Sequence, residues 1–242
     1  MNFKRTLIVT ALLAASAGAF AQTTISQGKN PSFPIAINQP GSYMLTSNLV
    51  VPAGTGGIVI SAPNVTLDLN GFMISGPVTC ASAGVCSMAP TANHGIVSTM
   101  PNTAIRNGTI KGFQGSGVQI AGASMLADLM VTENAAYGIV GGSQAQGNTL
   151  VNRVRTTLNK LSGLYLFQST VIDSAAANNG QAGFYLNFSA LIDSSASSNA
   201  QYGVWAGSHV VLRGVRGDYN SSGNFGGNYS SAGGNMNDWT LF

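Results

Sequence analysis

From Gly163 to Tyr202 the chain holds two consecutive units of equal length, GLYLFQSTVIDSAAANNGQA and GFYLNFSALIDSSASSNAQY, and a third opens at Gly203 as GVWAGSHVVLRGVRGDY. The two full units match position by position: a Gly, apolar residues flanking a Tyr, a Ser, the triplet VID or LID, then Ser and Ala, then an Asn four residues before the next Gly. Earlier units keep the frame, with Gly95, Gly117 and Gly138 opening GIV, GVQI and GIV at spacings of 22, 21 and 25 residues. A unit this short cannot bury its apolar residues alone. Stacking each unit on the next buries them in one continuous core, so a period of 20 residues restricts the chain to a solenoid.

Within a unit, runs of three to five alternating residues separated by Gly, Asn and Ser read as short strands joined by tight turns. Alternation assigns faces: Phe184, Leu186, Val204 and Ala206 point inward and Tyr185 outward. Asn134, Asn159, Asn179 and Asn199 each stand four residues before the following Gly. Asn tolerates left-handed geometry, and its amide can bond from coil to coil, so these four are expected to form a ladder.

The pattern GxxL, Ser, VIDS or LIDS, then Asn resembles the repeat of the right-handed parallel β-helix superfamily, which includes pectate lyases, related polysaccharide enzymes and phage tailspikes. VTLDLNGFMISG, from Val65 to Gly76, resembles a coil near the start of small secreted members. The likeness runs from Ile58 to Asp218 and implies an all-β, right-handed parallel β-helix of about seven coils with a cap at each end. It says little about function, because one such fold hosts many activities.

The ends depart from the repeat. Lys4 and Arg5, an apolar run from Leu7, and Ala19 and Ala21 before Gln22 read as a signal peptide over 1–21, directing the protein to the periplasm or outside. Residues 22–56 read as N-terminal cap strands, 57–220 as the helix and 221–242 as a Gly- and Asn-rich C-terminal cap, with Trp239, Leu241 and Phe242 over the open end. Cys80 and Cys86, in an insertion from Pro77 to His94, are expected to form a disulfide; metal binding by the two Cys and His94 lacks a fourth ligand. After loss of the leader, eight basic residues face seven acids with no basic run, so nucleic acid is not an expected partner. The mature chain holds no further membrane segment, and nothing in it sets an oligomeric state.

Two outward columns carry candidate chemistry. Counting back from the Asn residues, Asp68, Arg106, Asp128, Arg153, Asp173, Asp193 and Arg213 read as one charged column, the register of Arg153 being open by one residue. The lyase resemblance implies calcium on Asp173 and Asp193 with Arg153 or Arg213 as base, whereas opposite charges on a stack also pair for stability alone. On the Gly-led strand, Val59, Val97, Gln119, Val140, Tyr165, Tyr185 and Trp205 form the second column, whose last three residues offer aromatic surface suited to sugars. The WIDH-like strings of the lyases are absent. The expected function is recognition of a polysaccharide or cell-surface glycan without turnover by Tyr165, Tyr185 and Trp205. The alternatives are a calcium-dependent polysaccharide lyase or C5-epimerase, and a non-catalytic structural or adhesive module.

Overall fold

The computed structural model describes residues 22–28, 32–87, 93–141 and 148–242; the leader expected over 1–21 lies outside them. Each coil is a triangle of three short strands, as in Phe184–Asn187, Ala190–Ile192 and Ser195–Ser197. Each strand pairs in parallel with its counterpart one coil before and one coil after: Phe184 lies between Leu164 and Val204, and Ala196 between Ala176 and Gly217. Three parallel sheets result.

The corners are turned by single residues in the left-handed region: Phe188 (φ 50°), Asp193 (φ 47°) and Ser198 (φ 54°) in one coil, Gln168 (φ 45°), Asp173 (φ 49°) and Asn178 (φ 53°) in the coil before. For a residue with a Cβ that geometry costs roughly 1–2 kcal/mol. Corner amides offset it by continuing the ladder, since Gln168 N–H donates to Asn187 O (2.9 Å), Asp173 N–H to Ile192 O (3.2 Å) and Asn178 N–H to Ser197 O (3.1 Å).

Inward residues fill the triangle. Phe184, Leu186, Leu191, Ala196, Val204 and Ala206 are all buried, as are Val65, Leu67 and Leu69 in the first repeat. Asn134, Asn159, Asn179 and Asn199, each fully buried, form one column in which Nδ2 donates to the Oδ1 of the next coil's Asn at 2.9, 3.0 and 3.0 Å, continuing to Asn220 at 2.9 Å. Each acceptor Oδ1 also takes the backbone N–H of the Asn below, as Asn199 does from Asn179 at 3.0 Å. The repeated Gly follows from this column: a Cβ on Gly183 would lie 2.7 Å from Asn199 Nδ2 and 2.8 Å from Gly203 O. A serine ladder runs beside it, with Val154 N–H on Ser174 Oγ and Ser174 N–H on Ser194 Oγ, both 3.1 Å.

The stack has about ten turns rather than about seven. Strands in the segment read as a cap pair in parallel with the coil above them: Thr23–Ile25 with Gly41–Leu45, which pairs with Val65–Asp68, and Ile35–Ile37 with Ile58–Ile60. At the other end Gly223–Ser231 pairs in parallel with Tyr202–Arg213, before Met236–Asn237 and Thr240–Leu241 close as an antiparallel hairpin. Strand alternation there is too short and too glycine-rich to register as a repeat. Phe242 packs edge-on against Phe225, yet it, Trp239 and Leu241 all stay exposed.

Cys80 and Cys86 are bonded to each other and pair across a small antiparallel hairpin, Cys80–Ser82 with Val85–Cys86. The hairpin rests against the stack. Val78 and Cys80 pack with Ala135, beside Leu158, and Gly84 rests against Gly180, where a Cβ would lie 2.6 Å from Gly84 Cα and 2.1 Å from Lys160 O. The hairpin therefore lies along the turns that precede the glycines.

Candidate functional site

The aromatic column stands in register. Val59, Val97, Gln119, Val140, Tyr165, Tyr185 and Trp205 are successive partners, and the next level is Gly226. Strand pairing holds neighbouring rings about 4.8 Å apart. Tyr165 and Tyr185 accordingly stack at 4.7 Å and 27°, so they cover one face of each other instead of offering two flat platforms outward. Burial, with Tyr185 and Tyr137 close by, holds the Tyr165 phenol above its ordinary pKa and keeps it a neutral donor.

Beyond Tyr185 the stack breaks. Trp205 turns to Tyr202 (4.7 Å, 51°), and the two rings lie over Gly226, where a Cβ would come within 2.7 Å of Tyr202 and 2.9 Å of Trp205. The residue before each glycine explains the gap. In successive coils that position holds Tyr137, Ser162, Ala182 and Tyr202, so two small residues separate two tyrosines. A recess of about 200 Å³ opens there, floored by Ser162 and Ala182 and walled by Tyr185, Tyr202, Trp205 and the amides of Gln181 and Gln201. Ser162 is 1% exposed, and its Oγ has no hydrogen-bond partner. A buried hydroxyl without a partner costs stability. Tyr137 and Ser162 escape strand alternation because they belong to the turn, and Tyr202 because it stands before the glycine at the first position of the strand Tyr202–Arg213; only comparison of the pre-glycine position across units would have exposed them.

The charged residues do not form the single column expected. Asp68, Arg106 and Arg213 occupy the last outward strand position, which in the intervening coils holds Ala127, Asn152, Ile172 and Ile192. Asp128, Arg153, Asp173 and Asp193 lie one residue further on, at the left-handed corner. The corner residue also projects outward, so simple alternation merges two columns into one. Arg106 Nε bonds Asp68 at 3.0 Å, Arg153 grips Asp128 through Nε and Nη2 at 2.7 and 2.9 Å, and Arg213 faces Asp193 at 3.9 Å. The Arg153 hydrogen bond holds the Asp128 carboxyl below its ordinary range although the side chain is exposed.

Asp173 and Asp193 do share an open hollow, with Ser174, Ser194 and Gly214. Calcium takes about 6–8 oxygen ligands. Among the described residues no three acids, cysteines or histidines gather, and Asp193 already faces a guanidinium. Arg153 could act as a base only by giving up a two-point ion pair. This donor set does not fit a calcium site.

No family model matches the chain, and no curated protein matches it. Among solved structures it is similar to pectate lyase Pel9A (TM-score 0.61, 13% identity), covering 87% of this chain and 67% of that one. It is also similar to the Dettilon tailspike protein (TM-score 0.54, 13% identity, 87% and 50% covered) and to the enzymatically active domain of bacteriophage CBA120 tailspike protein 2 (TM-score 0.55, 15% identity, 87% and 42% covered). The chain thus spans half or less of the tailspike chains it matches. With its three parallel sheets and a core continuous from coil to coil, the chain has the fold of the right-handed parallel β-helix superfamily.

Proposed function

We propose that the protein recognises a carbohydrate, without turning it over, by seating one sugar ring in the recess between Tyr185, Tyr202 and Trp205. The observation that carries this reading is the break in the aromatic stack, which opens a concave site at the scale of one ring between Tyr185, Tyr202 and Trp205, with Ser162 and Ala182 beneath. Sugar rings combine apolar C–H faces with polar rims, and the recess offers both ring surface and amide and hydroxyl groups. The similarity to a pectate lyase and to tailspikes is in keeping with a glycan partner and contributes nothing finer. Tyr165 supports Tyr185 from behind rather than forming a separate platform. Export to the periplasm or beyond, read from residues 1–21, would place the site where such glycans occur.

The test is a glycan array, followed by calorimetry, on the mature chain with and without calcium. Trp205→Ala and Tyr185→Ala are expected to weaken binding by at least ~1 kcal/mol each without unfolding the protein, while Asp173→Asn changes little. Calcium-dependent ultraviolet absorbance from unsaturated uronides, abolished by Asp173→Asn and Asp193→Asn, would instead establish the lyase. Absence of both binding and product would leave the structural or adhesive module.

A further inference from the structure

A second concave feature lies one corner away from the aromatic column. The turn between the first and second sheets is made in successive coils by Asn102, Ala123, Asn148, Gln168, Phe188 and His209, every one in the left-handed region, so their side chains form a rim that runs along the solenoid axis. Beside it, the outward position of the second sheet supplies a floor of uneven height. Thr170 and Ala190 are small, whereas Leu150 precedes them and Val211 follows. The rim and floor enclose an open groove of about 800 Å³ from Asn148 to His209. It continues past Leu150 to Met125 and Asn102 at one end, and past His209 to Tyr229 at the other.

Three properties define what fits it. The groove runs along the stack, and its lining positions recur with the strand spacing of about 4.8 Å, a step comparable to one residue of an extended glycan chain. It offers the amides of Asn148 and Gln168 and the Thr170 hydroxyl beside apolar surface: Phe188 stacks on His209 at 5.1 Å and 11°, and Phe188 and Val211 are 42% and 44% exposed. Third, among the described residues none that lines its three sections is Lys, Arg, Asp or Glu. The ion-paired charges, Asp128 with Arg153 and Asp193 with Arg213, stand at the next corner instead. A polyuronate would bring a carboxylate to every step of this groove with no lysine or arginine to meet it, and desolvating those charges would be unfavourable.

We infer that the groove along the Asn148–His209 corner binds an extended, uncharged polysaccharide lengthwise. This rests on the carbohydrate-recognition reading and extends it. The recess at Tyr185 and Trp205 takes a single ring, the groove takes several consecutive residues of a neutral chain, and neither is matched to alginate or polygalacturonate.

The experiment compares neutral oligosaccharide ladders (β-glucan, xylan and mannan series) with alginate and polygalacturonate by calorimetry on the mature full chain at two salt concentrations. Neutral chains are expected to bind with affinity that rises with length and does not change with salt, because no ion pairs form. Ala190→Arg, which raises a charged side chain from the outward-facing floor, should lower affinity for long neutral oligomers at least tenfold, leave monosaccharide binding and thermal stability unchanged, and increase binding of polygalacturonate. Phe188→Ala should shorten the length dependence in the same way. If Ala190→Arg and Phe188→Ala leave the length dependence intact while Trp205→Ala removes all binding, the groove proposal is wrong and the single-ring reading stands. Tighter binding of the uronates than of the neutral chains by the unaltered protein would overturn the charge argument directly, and no binding to any glycan would remove both readings.

Discussion

Ser162 separates a structural role from a binding one. Its Oγ is buried without a partner, so Ser162→Ala removes an unsatisfied polar atom and should leave stability unchanged or slightly raised. If the hydroxyl serves a ligand, the same change should weaken glycan binding several-fold; a denaturation curve and a titration on one variant together decide it, and equal affinity would exclude the hydroxyl from the site. His94 offers a different test. It is half-buried, burial holds its pKa below the ordinary 6.5, and neutral Nδ1 accepts the Ser116 N–H at 2.9 Å against a glycine with no room for a side chain. A proton is therefore bound more weakly in the folded than in the unfolded chain. The resulting stability is present above about pH 6.5 and is lost as pH falls through the lower, folded value. Chemical denaturation between pH 8 and pH 5 should show this loss, and His94→Gln should flatten it in that window. An unchanged slope would mean that His94 is not the group responsible.

At the scale of the element, each corner residue serves in the fold and in the sites at once. A left-handed residue ends one strand, continues the ladder through its amide and projects its side chain outward, so Gln168 and Phe188 rim a groove while Asp173 and Asp193 edge a hollow. That double duty marks where the sequence can be read and where it cannot. The period, the inward Phe184 and Leu186, the Asn spacing and the Cys80–Cys86 pairing were legible, because each is a local pattern repeated at a fixed interval or confined to a few residues. The charged register was misread because alternation holds along a strand and resets at a corner. Tyr202, Ser162 and the groove floor were not legible as linings of a recess and a groove, since that depends on which residue sits one coil above or below. The resting place of Gly84 on Gly180 was beyond reach, because no pattern links an insertion to a coil so far along the chain.

As a whole, the molecule is a one-dimensional stack in which each coil touches its neighbours, so its stability should be close to a sum over coils and the interfaces between them. The disulfide hairpin is the exception, since it lies across several coils and needs Gly180 at one place. Two deletions of equal length separate these contributions. Removing 183–202 joins Ala182 to Gly203, lets Asn179 meet Asn220 and keeps Gly180 beneath Gly84. Removing 163–182 joins Ser162 to Gly183 and lets Asn159 meet Asn199, but brings Ala200, the counterpart of Gly180, under the hairpin. Gly180 lacks space for a Cβ by a wide margin, with Lys160 O at 2.1 Å and Gly84 Cα at 2.6 Å from where it would stand. Both shortened chains are therefore expected to fold as parallel solenoids of one fewer turn. The chain lacking 163–182 should melt lower and show faster hydrogen exchange at the hairpin, from Val78 to Cys86. Restoring a glycine by Ala200→Gly in that background should recover both properties, whereas in the chain lacking 183–202 position 200 no longer exists and nothing needs rescue. Equal melting temperatures for the two deletions, with no gain from Ala200→Gly, would show that the hairpin is not seated on Gly180 and that the coils alone account for the stability of the stack.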